Sequence, residues 1–121
     1  MQRLYVFLSG CVPPKVPPRQ ISREIGRHNC LFLHVVLVPY LKCSGEHKTK
    51  PAQHSVRELQ GMGIMPDVII ARCDEPLEDG IRQKIALFCD VEPDCVVENQ
   101  TLGSLYDVPL MLSLIHTDAA D

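Results

Sequence analysis

Residues 31–38 read Leu31-Phe32-Leu33-His34-Val35-Val36-Leu37-Val38, and Pro39 follows. The run is almost wholly apolar and rich in valine, and it is too short for an independent helix. A strand with one wet face would alternate polar and apolar residues. A near-continuous run closed by proline is expected for a parallel strand covered on both faces. His34 interrupts the run. It is expected to be a hydrogen-bonded core histidine, because no second ligand-type residue stands beside it. Working outward, residues 20–27 form a short helix. Residues 55–62 place Val56, Leu59 and Met62 on one helical face, with Gly61 or Gly63 to close it. After Pro66, residues 67–71 form a second β-branched strand. Residues 78–89 form the strongest helix, with Ile81, Ile85 and Phe88 as its buried stripe and acidic residues in its first turn. Residues 96–98 form a short third strand. Alternating strands and helices at this spacing predict an α/β fold, with a parallel sheet, flanking helices and right-handed crossovers. Residues 31–38 and 67–71 are expected to be neighbours in it. Ligands of such sheets bind beyond the carboxyl ends of the strands.

The chain has 121 residues and a net charge of -3. It is one domain at most, and nothing in its charge suggests nucleic acid. No apolar run approaches the ~20 residues of a membrane helix. Cys11, Cys30, Cys43, Cys73, Cys89 and Cys95 show neither CxxC nor zinc spacing. They are expected to be reduced thiols in a cytosolic protein. Residues 1–18 form an atypical Pro-rich start. The paired prolines at positions 13–14 and 17–18 exclude a regular helix there. Leu8-Ser9-Gly10-Cys11 has the look of a lipoprotein cleavage box, but its apolar core is shorter than the roughly 7–15 residues export requires. Residues 104–106 and 108–114 read as a turn and a mostly apolar segment, and 115–121 as a frayed tail.

The candidate site follows the first strand: Gly45-Glu46-His47-Lys48-Thr49-Lys50-Pro51-Ala52-Gln53-His54-Ser55. Gly45 and Pro51 predict a loop. Two lysines this close can aim both ammonium groups at one polyanion. Thr49, Gln53 and Ser55 can add hydrogen bonds, and the positive end of a helix starting near Ser55 would point the same way. On spacing alone a solvated basic loop fits equally. Lys84 is a second candidate, at the rim of the Ile81-Ile85-Phe88 face. A lysine laying its stem on the core fits there too.

Lys48-Thr49-Lys50-Pro51-Ala52-Gln53, followed by Ser55-Val56-Arg57-Glu58-Leu59, resembles the uracil-nucleotide loop and helix of CTP synthase. Similar residues recur in order at Arg19-Gln20, Glu24-Ile25-Gly26-Arg27, Leu37-Val38-Pro39-Tyr40, Pro66-Asp67, Lys84-Ile85-Ala86-Leu87-Phe88-Cys89 and Val108-Pro109-Leu110. The resemblance spans residues 19–114, about four-fifths of the chain. Ala52 departs from it, since the family usually has threonine there. Residues 19–114 are thus read as part of the synthetase domain, from its carboxyl half, with a P-loop-type fold similar to dethiobiotin synthetase.

The resemblance implies ATP-dependent amination of UTP to CTP, with glutamine or ammonia as nitrogen donor and magnesium as cofactor. It assigns Lys48, Thr49, Lys50, Pro51, Ala52, Gln53 and Lys84 to the UTP or CTP triphosphate. It places Gln100, Thr101 and Leu102 where the family's backbone meets the adenine of ATP, although the family's side chains there read Lys/His-Asp-Val. It also implies a homo-tetramer whose sites are shared between subunits, and feedback inhibition by CTP. No GxxxxGK[ST] occurs in the sequence, nor the family's Gly-Asp-Ile-Glu magnesium segment or a glutaminase. The chain is therefore expected to carry part of the nucleotide site and to make no CTP alone. Two other readings fit the same residues. One is a non-catalytic nucleotide-binding or oligomerisation module, and the other is a different P-loop-type ligase.

Overall fold

A computed structural model describes residues 5–9, 18–104 and 106–107. The expectations for the remainder of the first eighteen residues, for 108–114 and for the tail lie outside these. The elements run β1 (Tyr5–Ser9), α1 (Pro18–Ile25), β2 (Cys30–Leu37), β3 (Tyr40–Leu41), β4 (Glu46–His47), α2 (Lys50–Gly61), β5 (Val68–Cys73), α3 (Asp79–Cys89) and β6 (Val96–Gln100). Single 3-10 turns stand at Arg27–Asn29 and Pro93–Cys95.

Four strands form one sheet in the order β1-β2-β5-β6, all parallel. Residues 31–38 and 67–71 are neighbours as expected: Leu33 pairs with Val68 and Val35 with Ile70. β1 was not expected as a strand. Tyr5 pairs with Cys30 and Ser9 with His34, so an apolar stretch too short to read alone becomes an edge strand once β2 stands beside it.

One face of the sheet carries the core. Val36 and Val38 from the β2 end, Ala52 and Val56 from α2, Ile69, Ala71 and Cys73 from β5, Ile85, Ala86 and Cys89 from α3, and Val96 from β6 form one buried cluster. Cys30, Phe32, Leu59 and Ile64 form a second, joined by Ile25 at the end of α1. The other face is covered less well. Leu31, Leu33, Val35, Val68, Ile70 and Val97 are only part-buried and Leu37 is 55% exposed. Burial on β2 therefore alternates, although the residues do not, and the expected cover on both faces is corrected to full cover on one.

Both long helices differ from their expected form. α2 starts five residues early, at Lys50, because Pro51 sits in its first turn, where the missing N–H costs nothing. Met62 lies past its end and is exposed. α3 is rotated from the expected stripe: Ile85, Ala86 and Cys89 are buried, while Phe88 is 48% exposed. The small Ala86 and Cys89 allow close approach to the sheet, which turns Phe88 outward. Asp90 closes α3 in the left-handed region, at φ 57.

At the amino end of the sheet Arg27 ties two strands together. Its Nη1 donates to the Cys30 carbonyl at 2.9 Å, and its Nη2 meets Asp67 Oδ1 at 2.7 Å. Asp67 Oδ2 accepts the Phe32 N–H at 2.8 Å, and the guanidinium lies 4.8 Å from the Phe32 ring centroid.

Candidate functional site at the carboxyl edge of the sheet

The segments that leave the carboxyl ends of β2, β5 and β6 meet along one edge. After β2 comes a two-stranded antiparallel hairpin, in which Tyr40 pairs with His47 and Leu41 with Glu46. Sequence reading placed a plain loop here, since two-residue strands are too short to leave a pattern. His47 fixes the hairpin to the segment after β5. It is buried, its Nε2 lies 3.2 Å from the Glu75 carbonyl oxygen, and its ring meets Tyr40 edge-on with centroids 5.0 Å apart. The Thr101 N–H, just past β6, donates to the Cys73 carbonyl at 2.9 Å and fixes the third segment to the same edge.

Lys48 precedes α2 and Lys50 opens it. Thr49 is the N-cap but makes no capping bond. It is buried, and its Oγ1 accepts from Gln53 Nε2 at 3.1 Å. The first turn of α2 holds no acidic residue. Helices ordinarily place carboxylates at this positive end, whereas here two lysines stand there. That arrangement is unfavourable for the bare helix and favourable for an anion.

The Lys48 ammonium is paired with the Glu46 carboxylate. The hydrogen bond and charge of Lys48 hold the Glu46 carboxyl below its ordinary value, and Lys84 on α3 contributes to the same lowering. The structure therefore brings Lys84 into the electrostatic reach of the hairpin, across more than thirty residues of sequence. Lys50, Pro51 and Lys84 are exposed. Ala52 is 0% exposed and belongs to the core, so its side chain does not face this edge. Ser55 is engaged elsewhere: its Oγ lies 2.8 Å from His34 Nε2. His34 is the hydrogen-bonded core histidine expected, with its pKa lowered by burial.

Gln100 ends β6 with its amide Nε2 donated to Glu98, and Thr101 and Leu102 follow, exposed and half-buried. Sequence reading did not single out Glu98. It is 7% exposed and pairs with Arg82 Nη2 at 3.4 Å, a contact between α3 and β6 that no local spacing announces. Among the described residues no three His, Cys, Asp or Glu side chains come together as a metal site. Cys30, Cys43, Cys73, Cys89 and Cys95 are free thiols. Burial, then the charges of Glu98 and Asp74, push the Cys73 thiol up to about 11. Burial alone takes Cys89 up to about 11. No helix among the described residues is long and apolar enough to cross a membrane.

Comparison with known proteins bears on the same segments. The family model described as CTP synthase N-terminus matches residues 15–119. The chain is similar to the CTP synthase of Latilactobacillus sakei subsp. sakei (strain 23K), at 53% identity over 94 residues, 78% of this chain and 18% of that protein. It is 52% identical over 92 residues to that of Lawsonia intracellularis (strain PHE/MN1-00), covering 76% and 17%. It is 54% identical over 94 residues to that of Treponema pallidum (strain Nichols), covering 78% and 16%. The chain thus spans less than a fifth of the length of these curated relatives. With the family model covering most of its residues, the chain belongs to the CTP synthase family.

Proposed function

We propose that this chain supplies part of the nucleotide site for the ATP-dependent amination of UTP to CTP, with glutamine or ammonia as nitrogen donor. In this reading the chain comes from the carboxyl half of a P-loop-type synthetase domain, in a cytoplasmic homo-tetramer. Lys48, Thr49, Lys50, Pro51, Ala52, Gln53 and Lys84 hold the UTP or CTP triphosphate, and Gln100, Thr101 and Leu102 hold the adenine of ATP. Of these, Ala52 contributes its backbone and not its buried side chain. The observation that carries the reading is a helix start flanked by Lys48 and Lys50 that lacks any carboxylate in its first turn, with Lys84 near enough to act on Glu46. A triphosphate would take Lys48 from Glu46 and answer the positive end of α2. The phosphate-transfer loop, the magnesium carboxylates and the glutaminase have no counterpart among these residues. On this reading the chain alone makes no CTP.

The test is UTP and CTP affinity for Lys48→Ala, Lys50→Ala and Lys84→Ala, against Lys42→Ala as control. Charge-assisted bonds to phosphate are worth roughly 1.5–3 kcal/mol each, so each site variant should weaken both nucleotides by about one to two powers of ten. Equal weakening by Lys42→Ala would reduce the site to a general basic patch.

A further inference from the structure

The hairpin from Tyr40 to His47 stands apart from the four-stranded sheet, as a separate pair of two-residue strands. A hairpin of that size has little stability of its own. Its internal bonds close it but do not locate it. The Gly45 N–H donates to the Leu41 carbonyl at 2.8 Å, and the Lys48 N–H donates to the Pro39 carbonyl at 2.9 Å. Among the described residues, the hydrogen bond that carries the hairpin to a segment distant in sequence runs from His47 Nε2 to the Glu75 carbonyl, at 3.2 Å. A carbonyl oxygen only accepts, so Nε2 carries the proton and donates. The imidazole is buried and meets the ring of Tyr40, its own cross-strand partner, edge-on. A buried ring held by an aromatic neighbour and by a carbonyl has little freedom to turn.

What this contact joins gives it a use. Lys48 is the next residue after His47. On the far side, Glu75 leads to Leu77, which belongs to the core, and then to Glu78, whose carbonyl accepts the Ile81 and Arg82 N–H groups and opens α3. α3 carries Lys84, whose charge reaches Glu46 in the hairpin. Two ammonium groups repel each other, so a hairpin free to swing would carry Lys48 away from Lys84 until an anion arrived.

We infer that His47 is a positioning residue for the triphosphate site: through the Glu75 carbonyl it holds the hairpin, and with it Lys48, in place against the segment that leads into α3. The inference rests on the reading that Lys48 and Lys84 meet one triphosphate, and it adds the side chain that keeps them together before the ligand arrives. Part of the ordering that binding requires is then completed in folding.

The experiment measures UTP affinity by isothermal titration calorimetry, with the melting temperature beside it, for the full chain, His47→Phe, His47→Gln, Lys48→Ala and the double variant of His47→Phe with Lys48→Ala. Phenylalanine keeps a buried ring against Tyr40 and removes the donor. Glutamine loses the ring and can still donate to Glu75. His47→Phe should weaken UTP by about three- to tenfold, and His47→Gln by about twofold or less. In the Lys48→Ala background His47→Phe should cost less than about twofold more, because the group it positions is gone. A purely structural role would lower the melting temperature and weaken UTP by the same factor in both backgrounds, and that result overturns the inference. Parent-like affinity in His47→Phe overturns it too, as does a loss in His47→Gln equal to that in His47→Phe. Should His47→Phe fail to fold, His47→Leu takes its place in the cycle. If neither folds, a loss beyond about twofold in His47→Gln overturns the inference by itself. Additive losses with a strong Lys48→Ala effect remove the inference and leave the triphosphate site standing. An unchanged UTP affinity in Lys48→Ala removes both.

Discussion

Ala52→Thr separates two roles that the sequence alone leaves joined. The family usually has threonine at this position, and if its hydroxyl met a phosphate, restoring it would tighten nucleotide binding. The structure leads to a different expectation. Ala52 is 0% exposed and lies in the cluster with Val36, Val38 and Val56. Threonine adds two heavy atoms there, and overpacking of this kind costs roughly 1–3 kcal/mol. Lower helix propensity adds up to about 0.7 kcal/mol. The hydroxyl itself need not stay unsatisfied, because in a helix it can bond the carbonyl four residues back. The net loss is about 2 kcal/mol, which lowers the melting temperature by about 10 °C for a domain of this size. Thermal unfolding by circular dichroism, with and without UTP, measures both quantities. An unchanged or raised melting temperature with tighter UTP binding would refute the placement of this side chain in the core.

Three further outcomes follow from particular contacts. Asp67→Ala removes the acceptor shared by Arg27 and the Phe32 N–H and should cost about 1.5–3 kcal/mol, read from urea unfolding, with Asp67→Asn retaining part of it. Burial lowers the His34 pKa in the folded chain below its ordinary 6.5, so stability is full above that value and falls as pH drops through it towards the folded pKa. Melting curves between pH 5 and 8 should show this slope, and His34→Gln should flatten it. At pH 8 iodoacetamide should modify exposed Cys43 well before Cys73 and Cys89, whose buried thiols at about 11 carry little thiolate, and mass spectrometry of the digested chain reads the order.

The sheet was legible because β2 and β5 are written almost wholly in β-branched and apolar residues, a pattern no amphipathic helix shares. What failed were the boundaries set by context. Pro51 reads as a loop residue anywhere except in the first turn of a helix, where α2 holds it. The rotation of α3 depends on how closely Ala86 and Cys89 can approach the sheet, and a helical wheel drawn on size alone favours Phe88 instead. At the site, the lysines stood out through their closeness in sequence. His47 with Glu75, Thr49 with Gln53 and Arg82 with Glu98 did not, since two of these pairs join separate elements and the third lies in a helix start that reads as loop in the sequence. The Lys84 approach to the hairpin became visible through the resemblance and then through Glu46, and not through periodicity.

The all-parallel sheet also bears on the route to the folded state. No two adjacent strands of it can meet across a tight turn, because each is reached through a crossover. Tyr5 must find Cys30, Leu33 must find Val68, and Ile69 must find Val96 before any rung of the ladder exists. Each closure is charged to chain entropy before a contact rewards it, which places such topologies among the slower folders of their size. Among the described residues the one local pairing is the hairpin from Tyr40 to His47. The same segment that presents Lys48 is thus the piece of β-structure that can form first, before the four-stranded sheet beside it.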